Sequence, residues 1–255
     1  MPTTWNSADR TNVTLSNGNL TGTGSATTGA VRAVDAVTTG KYYWEVTYNA
    51  GSNGNTSVGI ANATANTASV ASSPANAAVV YRTAGAIWVN GSNVGTSIGA
   101  ITNGAVVCIA ADIDNARIWF RIGAAGNWNN NVANNPATNV GGVAFSSIHS
   151  AGAAVYPLAT YGISGEQTTA NFGATGFTGT VPSGFTSGIG PVPIAPPTGP
   201  AYALSASRAG IGSAVLWQTT TNTYALPLSA IVAEAAASPA PPVGGAAQAR
   251  VMVLA

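Results

Sequence analysis

Short runs rich in valine, isoleucine, tyrosine, tryptophan and threonine, cut at close intervals by Asn-Gly and Gly-rich breaks, fill the first 186 residues. That spacing is the signature of an all-β sandwich or barrel, and no helical periodicity appears before residue 200. "NVTLSNGNLTGTG" from Asn12 reads as a hairpin, because Asn17-Gly18 tolerates the positive φ angles of a tight turn. "KYYWEVTY" (Lys41 to Tyr48) follows as a long strand. "TSVGIAN" (Thr56 to Asn62), "VVYRT" (Val79 to Thr83) and "AIWVNGSNVG" (Ala86 to Gly95) continue the meander.

The most informative hairpin is "AVVCIAADIDNARIWFRIG", Ala105 to Gly123. Its first arm is almost continuously apolar, as a central strand buried on both faces requires, and Asp114-Asn115 supplies the turn. Parity puts Asp112, Arg117, Trp119 and Arg121 on one face and Ile113, Ile118 and Phe120 on the other. Asp112 and Asp114 are thereby expected to meet Arg117 and Arg121 as cross-strand ion pairs, worth about 0.2 to 1 kcal/mol each.

Composition narrows the partners. Only 6% of residues are charged although 46% are hydrophobic, so solubility rests on Asn, Thr, Ser and Gly. A formal net charge of +1 gives neither the counterion-release drive for nucleic acid nor a basic patch for an anionic membrane. With one cysteine, Cys108, no internal disulfide and no thiolate metal knuckle can form. Residues Met1 to Leu20 are polar, which gives no signal-peptide core, and no apolar run reaches the roughly 20 residues of a spanning helix. The expectation is synthesis in a cytoplasm, with no membrane insertion and no cofactor.

"GKYYWEVTY", "SVGIAN", "VVCIAADIDNARIWF", "GGVAF", "VYPLATYG" and "ANFGATGF", in that order, resemble the successive strand motifs of the SPRY (B30.2-like) family across about residues 5 to 186. The resemblance implies a bent, concanavalin-like sandwich of two antiparallel sheets whose loops form a binding surface, and a binding module in place of a catalyst. The opening "TWNSADRTNVTLSNGNL", with its Asn/Thr/Gly-rich style, further resembles the SPRY-like domains of bacteriophage virion proteins. One departure stands out. The family commonly has Asp-Asn-Gly at the hairpin tip, and this chain has Asp114-Asn115-Ala116, so either Asn115 alone is left-handed or the turn differs.

Enzymatic alternatives find little support. A glycoside hydrolase needs two carboxylates about 5 to 9.5 Å apart, and spacing implies no such pair among the seven acidic residues. Glu45 lies within a strand motif, where a structural role is expected, and Asp9, Asp35, Glu166 and Glu234 stand apart in the chain. The lone His149 reads as a loop histidine, and Cys108, in "VVCIA", as a buried inert thiol. "DIDN" lacks the further ligands of a calcium loop.

"GNWNNNVANNP", Gly126 to Pro136, sets one tryptophan among asparagines. An exposed Trp128 ring could stack on a sugar while Asn127, Asn129, Asn130 and Asn131 bond its hydroxyls; alternatively Trp128 folds back as a lid over the sandwich end and the asparagines are merely solvated. Tyr81 and Arg82 form a second candidate site, or are strand residues on an outer face.

Past residue 186 the composition changes. Residues 187–200 are a proline-rich connector, and 201–255 form a small, mostly β region containing "YALSASR", "SAVLWQTTTNTYALPL" and "AQARVMVLA", with "LSAIVAEAAAS" as a short helix. This tail is too small to bury itself well. It either serves assembly or anchoring, which implies a homo-oligomer, or adds strands to the same sandwich. Two functions compete: a virion-surface fibre or tail-associated adhesin for host-surface glycan or protein, and a decoration or cement protein that binds only other virion proteins.

Overall fold

Turn chemistry sets the strand lengths. The computed structural model describes residues 2–51, 55–190, 215–218 and 223–225. Asn17 and Gly18 (φ 52° and 61°) open the first hairpin, and Asn90-Gly91 (φ 49° and 80°) forms a two-residue hairpin loop of the kind that matches strand twist.

Numbered in chain order, the strands begin with β1 (Trp5–Thr11), β2 (Val13–Ser16), β3 (Thr21–Gly24), β4 (Gly29–Ala33) and β5 (Lys41–Ala50). There follow β6 (Ser57–Asn62), β7 (Ala77–Tyr81), β8 (Ala86–Val89), β9 (Ser92–Ser97), β10 (Val106–Asp112) and β11 (Arg117–Ile122). The unit is completed by β12 (Val143–Ala144), β13 (Val155–Tyr161), β14 (Gln167–Asn171) and β15 (Thr186–Ser187). One sheet has the order β1-β4-β13-β6-β7-β8-β9 and the other β12-β11-β10-β5-β14-β3-β2. All these pairings are antiparallel, and β15 adds a short parallel pairing to β5. This is the expected sandwich.

Period-two alternation builds the core between the sheets. Trp44, Val46 and Tyr48 of β5, Val107, Ile109 and Ala111 of β10, and Ile118 and Phe120 of β11 point into it and meet Val58, Ile60, Val80 and Ile87 of the facing sheet. The opposite faces of the same strands are also buried. Tyr43, Cys108, Ala110 and Trp119 sit under Trp128, Phe177, Val181 and Phe185, which explains why β10 is apolar from Val106 to Ala111.

The second face is held down by Glu45. Its Oε1 accepts from Tyr43 Oη (2.6 Å) and Gly179 N (2.7 Å), and its Oε2 accepts from Thr178 N (2.9 Å). A buried carboxylate with three such donors is a brace for the 177–185 segment.

The hairpin tip differs from expectation in two ways. Asp112 lies opposite both Arg117 and Lys41, and its carboxylate pairs with Lys41 (3.0 Å). Asp114 Oδ1 accepts from Gly40 N (2.9 Å), Arg117 donates to Gly142 O, and Arg121 donates to Thr180 O. Arg121 is opposite Cys108, so the expected Asp–Arg ion pairs give way to nearer partners. The turn also changes: the left-handed residue is Ala116 (φ 48°), while Asn115 donates two bonds to the Asp112 carboxylate, from its backbone N to Oδ1 (3.1 Å) and from Nδ2 to Oδ2 (2.8 Å).

The chain divides into two compact units, Met1–Pro193 and Ile194–Ala255. Ser187 pairs with Tyr43, and Ile189, 2% exposed, donates to Phe172 O and accepts from Thr3 N. The sandwich thus continues past residue 186 into the expected connector. In the second unit, β16 (Val215–Gln218) pairs antiparallel with β17 (Thr223–Ala225), within the segment expected to hold strands. The other expectations for the tail, including the helix at "LSAIVAEAAAS", fall outside the described residues. Among the described residues no helix is long and apolar enough to cross a membrane.

Candidate binding surface

The connection from β11 to β12 is ordered by its own side chains. Trp128 is 8% exposed and does not project outward. The Arg121 guanidinium lies over its ring at 4.3 Å from the centroid, and Tyr43 meets it edge-on at 6.4 Å. Of the two arrangements open to Trp128, the structure holds the lid, with a cation from the adjacent strand over the indole face.

Asn129 is likewise structural. Left-handed at φ 45° and 5% exposed, it places Oδ1 to accept from Phe120 N (2.9 Å) and Nδ2 to donate to Ile118 O (3.3 Å) and Gly141 O (3.0 Å). One side chain thus satisfies the β11 backbone where a neighbouring strand would otherwise pair. Asn134 Nδ2 donates to Trp128 O (2.9 Å), and Trp119 Nε1 donates to Val140 O (2.8 Å). Gly142 is required here, since a Cβ would stand 2.5 Å from Trp119 Cζ2.

These anchors leave a rim. Asn127, Asn130 and Asn131 are exposed, and Val132 is 86% exposed at its tip. Asn131 Oδ1 accepts from Ala133 N (3.0 Å), which stiffens the turn. The 128–130 turn lies beside β9 of the facing sheet. In the sequence Val132 is marked only by being the one large aliphatic side chain among the asparagines of 127–135.

Tyr81 and Arg82 do not join this rim. Tyr81 is half-buried against Trp88 (5.8 Å between centroids) and donates to Ala71 O (3.3 Å); burial pushes its phenol up to about 12. Arg82 ties down the 101–103 loop, with Nε donating to Ile101 O (3.2 Å) and Nη2 to Asn103 Oδ1 (2.7 Å).

Asp9, Glu45, Asp112 and Glu166 are engaged in the framework. Asp9 takes Arg32 in a two-pronged pair (2.7 and 3.1 Å), and Glu166 Oε2 accepts from Gly162 N and Ile163 N. With Glu45 and Asp112 they stabilise loops and strand ends. Burial also raises the Cys108 thiol, which keeps it protonated and unreactive. Among the described residues no group of three or more His, Cys, Asp or Glu converges as metal ligands would.

The geometry defines a sandwich of two antiparallel β-sheets. The SPRY domain family model matches residues 41–175, more than half of the chain, and the chain belongs to the SPRY family. SPRY domains are protein-interaction modules and are generally non-catalytic. Among solved structures the chain is similar to the SPRY domain of human HERC1, with 18% identity and a TM-score of 0.49 over 65% of this chain and 96% of that one. It is also similar to the TRIM65 PSpry domain (13% identity, TM-score 0.46, 67% and 92% covered) and to a human SPRY domain (14%, 0.44, 65% and 98%). No curated protein sequence matches.

Proposed function

We propose that this chain is a non-enzymatic bacteriophage virion protein, a fibre or tail-associated component of the particle surface whose SPRY domain binds a protein partner through its loops. The virion role rests on the resemblance carried by the opening "TWNSADRTNVTLSNGNL", and the observation that carries loop-mediated binding is the 127–133 rim, where Asn127, Asn130, Asn131 and Val132 are exposed on a segment pinned by Trp128 and Asn129. A segment already ordered before binding avoids much of the entropic cost of association. With the Trp128 face covered by Arg121, what remains is amide hydrogen bonding around one apolar side chain, which suits a protein surface better than a sugar ring. Host-surface protein is the favoured ligand, and the particle presents the chain as a homo-oligomer.

A decoration or cement role, binding only other virion subunits, is the neighbouring reading. Val132, 86% exposed on the rim, is as available to an adjoining subunit as to a host protein. Immunogold labelling of purified particles with antibody against the chain tests the shared part of both readings. Label on tail or fibre supports adhesion, label spread over the capsid supports decoration, and unlabelled particles free of the chain by mass spectrometry would overturn both.

A further inference from the structure

At the ends of β6 and β13, the start of the β6–β7 loop and the β12–β13 loop enclose a cleft of about 360 Å³. Its polar lining is Asn62, Thr64, Ser146, Ser147, His149 and Ser150, with no charged residue. His149 is 9% exposed and packs on Phe145, 5.6 Å between ring centroids. Its Nδ1 is sealed from solvent and has no hydrogen-bond partner.

With no acceptor at Nδ1, a neutral ring favours the lone pair at Nδ1 and the proton on Nε2. In that tautomer Nε2 is the ring's donor. Around it, Asn62 is committed to the framework, donating from Nδ2 to Ile148 O (3.0 Å) and accepting at Oδ1 from Thr64 Oγ1 (2.8 Å). Ser146, Ser147 and Ser150 are exposed. The apolar lining is small, consisting of Ala63, Ile148, Ala153 and Ala154.

We propose that this cleft is a second binding site, which takes a short uncharged segment of a partner polypeptide, with His149 Nε2–H donating to a main-chain carbonyl and the serines bonding adjacent peptide groups. Peptide is favoured over sugar because the lining has no aromatic face to stack on a pyranose ring, Phe145 being fully buried. Charged ligands are disfavoured because nothing in the lining would neutralise them. The site is separate from the 127–133 rim, and its failure would leave the rim's role untouched.

His149 is the single histidine of the chain, so its ring nitrogens are assigned without ambiguity. The test is a long-range nitrogen–proton correlation spectrum of the nitrogen-labelled full-length chain. It is recorded alone, with a pooled library of end-blocked uncharged tetrapeptides, and with a mixture of neutral monosaccharides. The expected result is the Nε2–H tautomer in the free protein and a shift of Nε2 with the peptide pool only, abolished by Ala63→Phe, which fills the cleft from an exposed position. A shift with sugars only would overturn the peptide assignment. An Nδ1–H tautomer, or no shift with either pool, would overturn the site.

Discussion

Arg121 and Trp128 form a stacked pair, guanidinium over indole at 4.3 Å, and the pair joins a strand of the sandwich to the loop beside it. Arg121 Nε is buried without a hydrogen-bond partner, so the ring face is part of what makes the cation tolerable there. A double-mutant cycle of Arg121→Ala and Trp128→Ala, read by urea denaturation, is expected to give a coupling of about 1–2 kcal/mol. Additive losses would mean that the two side chains act independently.

Asn129 is the other anchor. Asn129→Asp keeps the size but replaces the donor to Ile118 O and Gly141 O with an acceptor, setting oxygen against oxygen in a buried site. The expected loss is about 2–3 kcal/mol, whereas Asn130→Ala, at an exposed position, changes stability by less than about 0.5 kcal/mol. Equal effects in thermal or urea unfolding would contradict the division between anchor and rim.

Ala116 is left-handed at φ 48°, a conformation that costs an L-residue about 1–2 kcal/mol. Ala116→Gly removes that strain and adds some entropy to the unfolded chain. A net gain of about 0.5–1 kcal/mol is expected from denaturation, and a loss would show that the alanine methyl contributes more than the turn geometry.

Strand positions and the two-sided burial of β10 were legible because alternation and turn residues act locally. The ion pairs were misassigned because parity identifies a shared face but not which neighbour is nearer: Asp112 had Lys41 on its other side, across a pairing that only the folded sheet creates. Trp128 shows the same limit. Its residue type fits a platform or a lid equally, and the choice fell to Arg121, seven positions earlier but brought onto the ring by the loop. His149 lies in a loop, as its sequence context implies, while the cleft around it was not legible because it is assembled from two segments distant in sequence.

Several acids with raised pKa make the fold sensitive to alkali. Burial holds the phenols of Tyr43, Tyr48 and Tyr161 well above their ordinary value of 10.0, and the Cys108 thiol above 9.0. These groups stay protonated in the native state where the unfolded chain would lose protons. Their contribution is full below the unfolded values and falls as pH rises through them toward the folded values. Stability should therefore be flat from neutrality to about pH 8.5, then decline by about 1.4 kcal/mol per pH unit for each buried phenol once pH passes about 10. Urea titrations across that range, with phenolate absorbance following the tyrosines, check it; ionisation of more than five of the eight tyrosines in the still-folded protein would contradict the burial of Tyr43, Tyr48 and Tyr161.

The most direct test of the proposed role compares fluorescently labelled full-length chain with its Asn131→Ala/Val132→Asp variant, in binding to host cells and to particles depleted of the chain. Both changes lie at exposed positions, so the variant should remain folded by circular dichroism. Binding by the wild type that falls at least tenfold in the variant is the expected result. Equal binding by a folded variant, or no binding by the wild type to either target, would contradict the assignment of 127–133 as the recognition surface.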